Sequence, residues 1–398
     1  MQDSLPRFLW LTPPPTYMTN SPVTIGINGF FLGKPHTGIG KYVFHLLEGL
    51  ARQFPHLTFY VYCPPSTSHV LKDHTLFTYP NLTLRTVDVR FYRREDYLWK
   101  YVWERFHLPG AAGKDNVDLF WSPYHSTSRF QAIPHVMTVH DVVHHVDKRY
   151  VLNHRRAWYM KRSDKAAQEA DHILTVSQSS QTDITEELAI PPVRVTAIPH
   201  GAPHLPDTSE TISLSSPFLL YVGGFDLRKN VPTLLEGYHR LIHHYPGPHP
   251  LLVMLGSIPD APITSPIKQE IVRLNLEKYV YLPGKVSEEM LAAYLQKAQL
   301  LVYPSGYEGF GLPILEGMQA GTPVVTSQWG AMAEVAGDAA ELTDSTSPEA
   351  LAESFYTVLS DSDYQRKLSH KGSERVGQFR WEEAARATGN VLERHLPS

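Results

Sequence analysis

The sequence predicts an α/β protein of two domains, each built on a doubly wound parallel sheet, with their polar edges facing across a cleft. Three observations carry this. At 398 residues the chain exceeds the roughly 250–300 residues at which a single hydrophobic core stops growing. Short apolar runs alternate with longer helical patterns throughout, as βα units require. One aperiodic stretch rich in proline, serine and threonine, APHLPDTSETISLSSP after Gly201, separates two series of such runs.

In chain order, residues 1–20 carry a proline triplet and no period, so they read as an extension, and Met18 as a start for the folded part. The first domain spans 21–204, with strands at VTIGING (Val23), LTFYVYC (Leu57), LTLRTVDV (Leu82), VDLFWSP (Val117), HVMTVHD (His135), HILTVS (His172) and VRVTAIPHG (Val193). The second spans 205–379, with strands at FLLYVGG (Phe218), LLVMLGS (Leu251), VYLPG (Val280), LLVYPS (Leu300) and TPVVTS (Thr322). Ligands of such sheets bind beyond the carboxyl ends of the strands, and the glycines and polar residues gather there. RWEEAARATGNVLERHL, from Arg380, has an amphipathic helix pattern with Ala384, Ala387 and Val391 on one face.

Composition removes several classes. With 42% hydrophobic and 19% charged residues and a net charge of -4, the chain is an ordinary globular protein with no basic footprint for nucleic acid. Its single cysteine, Cys63, has no disulfide partner. No apolar run is long enough to span a bilayer, and the expected location is the cytoplasm.

Several stretches carry chemistry. In YVGGFDLRKN a buried-type strand ends at Gly223-Gly224, and Arg228 and Lys229 precede a helical pattern. Glycines admit a ligand to the backbone and adjacent cations neutralise a diphosphate, so this is either a phosphate site or a solvated turn. HTGIGKY, with Gly38 opening a helix, lacks a full dinucleotide fingerprint; it is a plain helix start or a close phosphate approach.

In YEGFGLPILEGMQAGTPVV, Glu308 and Glu316 would share a helix face only if the whole run were helical, because residues eight apart differ by about 80°. Gly309, Gly311 and Pro313 forbid that, so the spacing predicts a helix from Leu312 through Gln319, stopping at Gly321. Glu308 then lies in the preceding loop, and the N–H groups of Phe310, Gly311 and Leu312 are left for a ligand. The plainer alternative is one capping and one exposed glutamate.

The adjacent His144 and His145 are weak metal candidates because neighbouring histidines do not share a helix face, and no metal site is assigned. FYRREDYLWKYVWERFHLPG reads as a core helix through Leu98, Val102, Trp103 and Phe106 ending at Pro109, with a membrane-surface helix as the alternative. Glu95, Asp96 and Glu104 dilute its positive charge.

Taken together, YVGGFDLRKN, YLPGKVSEEMLAAYLQKAQLLVYPS, the E-x7-E pair Glu308 and Glu316, TGIGKY and TVHD resemble the retaining glycosyltransferases of family 4 over nearly the whole chain from Val23. The resemblance implies the GT-B fold, with the segment around Trp381 (380–398) crossing back onto the first domain. It implies transfer of a hexose from a nucleotide-diphosphate sugar, UDP-glucose or GDP-mannose, to a saccharide or lipid-linked acceptor in polysaccharide synthesis. No bound metal or other cofactor is implied. By the same resemblance, Arg228 and Lys229 hold the diphosphate, Glu316 the ribose, Glu308 and His140 the sugar, and Gly38 and Gly224 approach the phosphates. Phe310, Gly311 and Leu312 offer N–H groups, and Lys285 falls at the base pocket. A lipid-linked acceptor would bring peripheral membrane association. The competing readings are an epimerase or phosphorylase of the same architecture, and a non-catalytic nucleotide-sugar binder.

Overall fold

The computed structural model describes residues 23–89, 96–147, 153–214, 216–247, 249–257 and 264–397. The N-terminal extension and the arginine-rich start of the FYRRED segment, residues 90–95, lie outside them. The first series of runs forms a parallel sheet of order β3-β2-β1-β4-β5-β6-β7. Its strands are β1 Val23–Asn28, β2 Leu57–Cys63, β3 Leu82–Thr86, β4 Leu119–Ser122, β5 His135–Thr138, β6 His172–Thr175 and β7 Val195–Ala197. The second sheet, of order β10-β9-β8-β11-β12-β13, comprises β8 Phe218–Val222, β9 Leu251–Leu255, β10 Val280–Gly284, β11 Leu300–Tyr303, β12 Val324–Ser327 and β13 Glu341–Thr343. Both sheets reverse their winding once, between β1 and β4 and between β8 and β11, and such switch points open ligand crevices.

The inner strands are nearly continuous buried runs because helices cover both sheet faces, whereas the edge strands β3, β7, β10 and β13 are largely half-buried. Ile25 and Ile27 in β1 and Leu219 and Leu220 in β8 have no exposed surface. The short ELT strand β13 was not expected: three residues, one of them exposed, give no period to read. The strand expected from Val193 begins at Val195, after a single 3-10 turn at Pro192–Arg194.

The helix expected to stop at Pro109 continues. Helix Tyr97–Val102 runs into a π turn at Trp103–His107 and then into helix Leu108–Lys114, with the proline near the start of the last segment. The wide turn absorbs the hydrogen bond that proline cannot make. The buried face is also different. Leu98 and Phe106 are exposed, while Trp99, Trp103 and the charged Glu104 are buried.

Helix Trp381–Arg394 crosses back onto helix Gly38–Gln53 of the first domain. Its Ala384, Ala385, Val391 and Leu392 are buried there, and Glu393 Oε1 meets His56 Nε2 at 2.7 Å. Trp381 Nε1 donates to the Ala202 carbonyl at 3.0 Å. The helices approach so closely that a Cβ on Gly49 would lie 2.4 Å from that of Ala385. Gly49→Val should therefore cost about 1–3 kcal/mol through overpacking. A lowered denaturation midpoint with faster proteolysis in 380–397 is the expected readout, and an unchanged midpoint would refute the packing.

Candidate active site

Loops beyond the carboxyl ends of β8 and β11 meet at the switch point of the second sheet. After β8 the chain turns through Gly223 and Gly224, makes a short 3-10 turn Leu227–Lys229, and enters helix Val231–His244 through Asn230 in the left-handed conformation. Arg228 and Lys229 both point at Glu308, in the loop after β11. Arg228 Nη1 lies 3.1 Å from Glu308 Oε2 and Lys229 Nζ 2.6 Å from Oε1. Ser305 Oγ donates to Oε1 at 2.9 Å, Lys229 Nζ also donates to Tyr303 Oη at 2.7 Å, and Asp226 holds Arg228 Nε at 3.1 Å. Burial works to raise the Glu308 carboxyl, but Lys229 and Arg228 outweigh it and hold the group below its ordinary range.

The helix after this loop spans Leu312–Gln319, with Gly311 as its left-handed cap and Pro313 in its first turn, as the breakers dictate. The N–H groups of Phe310, Gly311 and Leu312 have no acceptor among the described residues. Glu316 sits on this helix without an ion-pair partner among the described residues, since nearby Lys41 instead reaches Glu288 at 2.7 Å. Burial raises its carboxyl above the ordinary range, with Lys41 opposing the shift.

The opposite wall comes from the first domain. Gly38 opens helix Gly38–Gln53 and faces Leu312: a Cβ there would meet only that side chain, at 4.0 Å. Gly40 differs, because a Cβ there would collide with the Lys34 carbonyl at 2.1 Å. The second glycine thus serves the turn, and the first leaves open space. His140 Nε2 lies 3.1 Å from the Pro123 carbonyl, which can only accept, so the proton is on Nε2 and Nδ1 is left as an acceptor. Burial lowers the His140 pKa and keeps the ring neutral. The Gly224 carbonyl accepts from Tyr221 Oη. Lys285 stands apart, exposed at the end of the edge strand β10.

The two walls are pinned together. A Cβ on Gly309 would lie 2.3 Å from the His140 carbonyl, so only glycine permits this approach. Ser177 Oγ donates to the Gly309 carbonyl at 2.7 Å, and Tyr307 Oη donates to Asp183 at 2.8 Å. Glu334 caps the N-terminus of helix Gln178–Glu187, accepting from Gln178 and Ser179 N–H at 2.8 and 3.0 Å.

Beside His140 opens a cavity of about 500 Å³ in the first domain. Phe30, Phe31, Tyr124 and Tyr159 supply aromatic faces, and Lys34 and Lys100 supply cations. Its floor is fixed by Glu104, which accepts from Tyr124 and Tyr159 hydroxyls at 2.6 and 2.8 Å and from Thr127 N–H and Oγ1 at 2.9 and 2.7 Å. In the sequence Glu104 reads only as a charge that dilutes the basic character of its helix; its hydrogen-bond partners come from two other segments, the loop after β4 and helix His154–Glu169, with Lys100 of its own helix 3.6 Å away. Behind the cavity, His144 and His145 both reach one carboxylate, Asp164, with His125 beside it. Adjacent histidines converge here because the shared carboxylate comes from another helix, His154–Glu169. Burial pushes the His125 ring down to about 4, so it is neutral.

Comparison with known proteins fits this geometry. Residues 36–204 match the model for Glycosyltransferase Family 4 and residues 207–375 that for Glycosyl transferases group 1. Over 285 residues the chain is 30% identical to O-antigen chain mannosyltransferase B of Escherichia coli, covering 67% of this chain and 73% of that protein. The chain belongs to glycosyltransferase family 4. It is also 28% identical over 247 residues to the MMP alpha-(1->4)-mannosyltransferase of Mycolicibacterium hassiacum, covering 61% of this chain and 59% of that one. Among solved structures, sucrose-phosphate synthase from Thermosynechococcus elongatus superposes with a TM-score of 0.70 at 22% identity, covering 94% and 98% of the two chains. Anabaena HepE, solved with UDP and glucose, gives 0.67 at 15% identity, covering 94% and 100%. These establish the GT-B fold of this family 4 transferase. Among the described residues, no helix is long and apolar enough to cross a membrane.

Glu316 carries the pH prediction. Its folded pKa is raised, so the half-buried charge destabilises the unliganded chain increasingly as pH rises from the unfolded carboxylate value of about 4.3 through the folded one. Glu316→Gln should raise the melting temperature at neutral pH, with the gain vanishing below about pH 4. Equal melting temperatures at neutral pH would refute the burial argument.

Proposed function

We propose that this family 4 transferase moves a hexose, with retention, from a nucleoside diphosphate sugar to a glycan or lipid-linked glycan during polysaccharide synthesis. The mannosyltransferase relatives favour a GDP-mannose donor, with UDP-glucose second. The observation that carries this reading is the meeting of half-buried Arg228 and buried Lys229 beside the N–H groups of Phe310, Gly311 and Leu312, which have no acceptor among the described residues. Departure of a nucleoside diphosphate builds negative charge on its oxygens. Fixed cations and N–H groups in a water-poor crevice stabilise that charge without reorganising, and no metal is needed at the diphosphate.

In this reading Glu316 accepts both hydroxyls of the ribose, which compensates for its burial, and Gly38 and Gly224 let the phosphates close on the backbone. Lys285 flanks the base. Glu308 holds the two cations in place and faces the sugar hydroxyls, while His140 Nδ1 accepts from the sugar. The acceptor lies in the aromatic cavity beside His140 and attacks the face that the diphosphate leaves, the departing phosphate taking its proton. The reaction takes place in the cytoplasm, and a lipid-linked acceptor would hold the enzyme at the inner membrane face. A non-catalytic binder would have no use for an acceptor-sized cavity opening beside His140.

Screening nucleotide sugars for binding and slow hydrolysis tests the donor directly, and binding of none would sink the reading. Arg228→Ala with Lys229→Ala should reduce turnover by at least about 100-fold, and unchanged turnover would remove the diphosphate assignment. Glu316→Ala should weaken nucleoside diphosphate binding by about tenfold or more. The same affinity should be indifferent to EDTA and to added magnesium, and a magnesium requirement would overturn metal-free diphosphate binding.

A further inference from the structure

We propose that His125, His144 and Asp164 form a zinc site in the first domain, with His145 as the outer partner that orients the carboxylate. Asp164 Oδ1 lies 2.9 Å from His144 Nε2 and 3.4 Å from His125 Nε2. One donor atom from each of the three lies within 4.8 Å of the others. Ligands about 2.0–2.1 Å from a tetrahedral zinc stand about 3.3–3.4 Å apart, so small side-chain adjustments close the set around one ion. The other carboxylate oxygen, Oδ2, is held by His145 Nε2 at 3.0 Å. Such outer hydrogen bonds orient metal-bound carboxylates.

A second observation points to a missing partner. Among the described residues, both ring nitrogens of His125 are buried without a well-aligned hydrogen bond, the Ser163 backbone lying nearby, and Nδ1 of His144 is likewise without one. Buried polar atoms are nearly always well paired, so an imidazole nitrogen 3.4 Å from a carboxylate oxygen, too poorly aligned to bond to it, leaves room for an ion between them. Imidazole and carboxylate together suit zinc better than magnesium or calcium, which take oxygen ligands. Three protein ligands leave a fourth position, and His125 also lines the aromatic cavity, so that position falls to water or to an oxygen of a molecule held there.

The ion would tie three segments that the sequence leaves apart: the loop after β4, the short helix Val143–Val146 following His140, and helix His154–Glu169. It takes no part in diphosphate binding. Tag-free protein should be equilibrated with zinc, dialysed, and assayed for metal. About one zinc per chain is expected, falling below about a tenth in His144→Gln and in Asp164→Asn, with cobalt giving the absorption of a four-coordinate site in the unsubstituted chain alone. His125→Gln provides a second test should the Asp164 variant fail to fold, and unchanged nucleoside diphosphate affinity serves as the folding control. Substoichiometric zinc in the parent would overturn the site. So would retention by the variants, or loss of zinc in His239→Gln instead, since His239 and His243 form a separate surface pair with ring centroids 4.3 Å apart. Metal content is independent of transfer, so this result and that of the donor screen can fail separately.

Discussion

A buried carboxylate held between two cations organises this molecule. Glu308 is only 10% exposed and Lys229 only 9%, so neither charge can rely on water. Their mutual attraction, completed by Arg228 and the Ser305 hydroxyl, is what makes their burial tolerable. Ion groups of this kind add little net stability compared with an apolar core, yet losing one member costs about 3–5 kcal/mol because the others are left uncompensated. The arrangement therefore fixes geometry more than it stabilises. It binds the loop after β8 to the loop after β11 at the point where the sheet changes winding.

The same loop is also the hinge of contact with the first domain. Gly309 lies against the His140 backbone, Tyr307 reaches Asp183, and Ser177 holds the Gly309 carbonyl. Glu308 is thus braced on one side by its own sheet and on the other by the opposite domain. Lys41 with Glu288, and Glu334 on the N-terminus of helix Gln178–Glu187, add polar contacts that water can compete for. The crossing helix Trp381–Arg394 provides the apolar part of the seam.

Much of this was legible in the sequence. The expected strands all exist, in two series, because doubly buried parallel strands are unbroken apolar runs. The helix Leu312–Gln319 was readable to the residue, since Gly311 and Pro313 leave one place for it to begin. Errors fell where local pattern and packing disagree. In Tyr97–Lys114 the aromatic residues suggest a different buried face, and a proline stop, from those that the π turn creates. Glu104 read only as a diluting charge on its helix because the hydroxyls that satisfy it come from Tyr124, Thr127 and Tyr159. His144 and His145 made only a weak metal pair in the sequence because their common partner, Asp164, lies in another helix.

By itself, then, the sequence determined the two-sheet α/β plan, the positions of the glycine turns, and which carboxylates and cations stand at strand ends, because these follow from short-range sterics and from the periodicity of burial. Only the tertiary structure decided what each charge faces. It paired Glu308 with Arg228 and Lys229, left Glu316 half-buried without an ion-pair partner among the described residues, sank Glu104 beneath an aromatic cavity, and gathered three histidines around Asp164. The physical reason is that a charge's partner is chosen by distance in space, across 80 residues in the case of Arg228 and Glu308, and no local pattern encodes that distance.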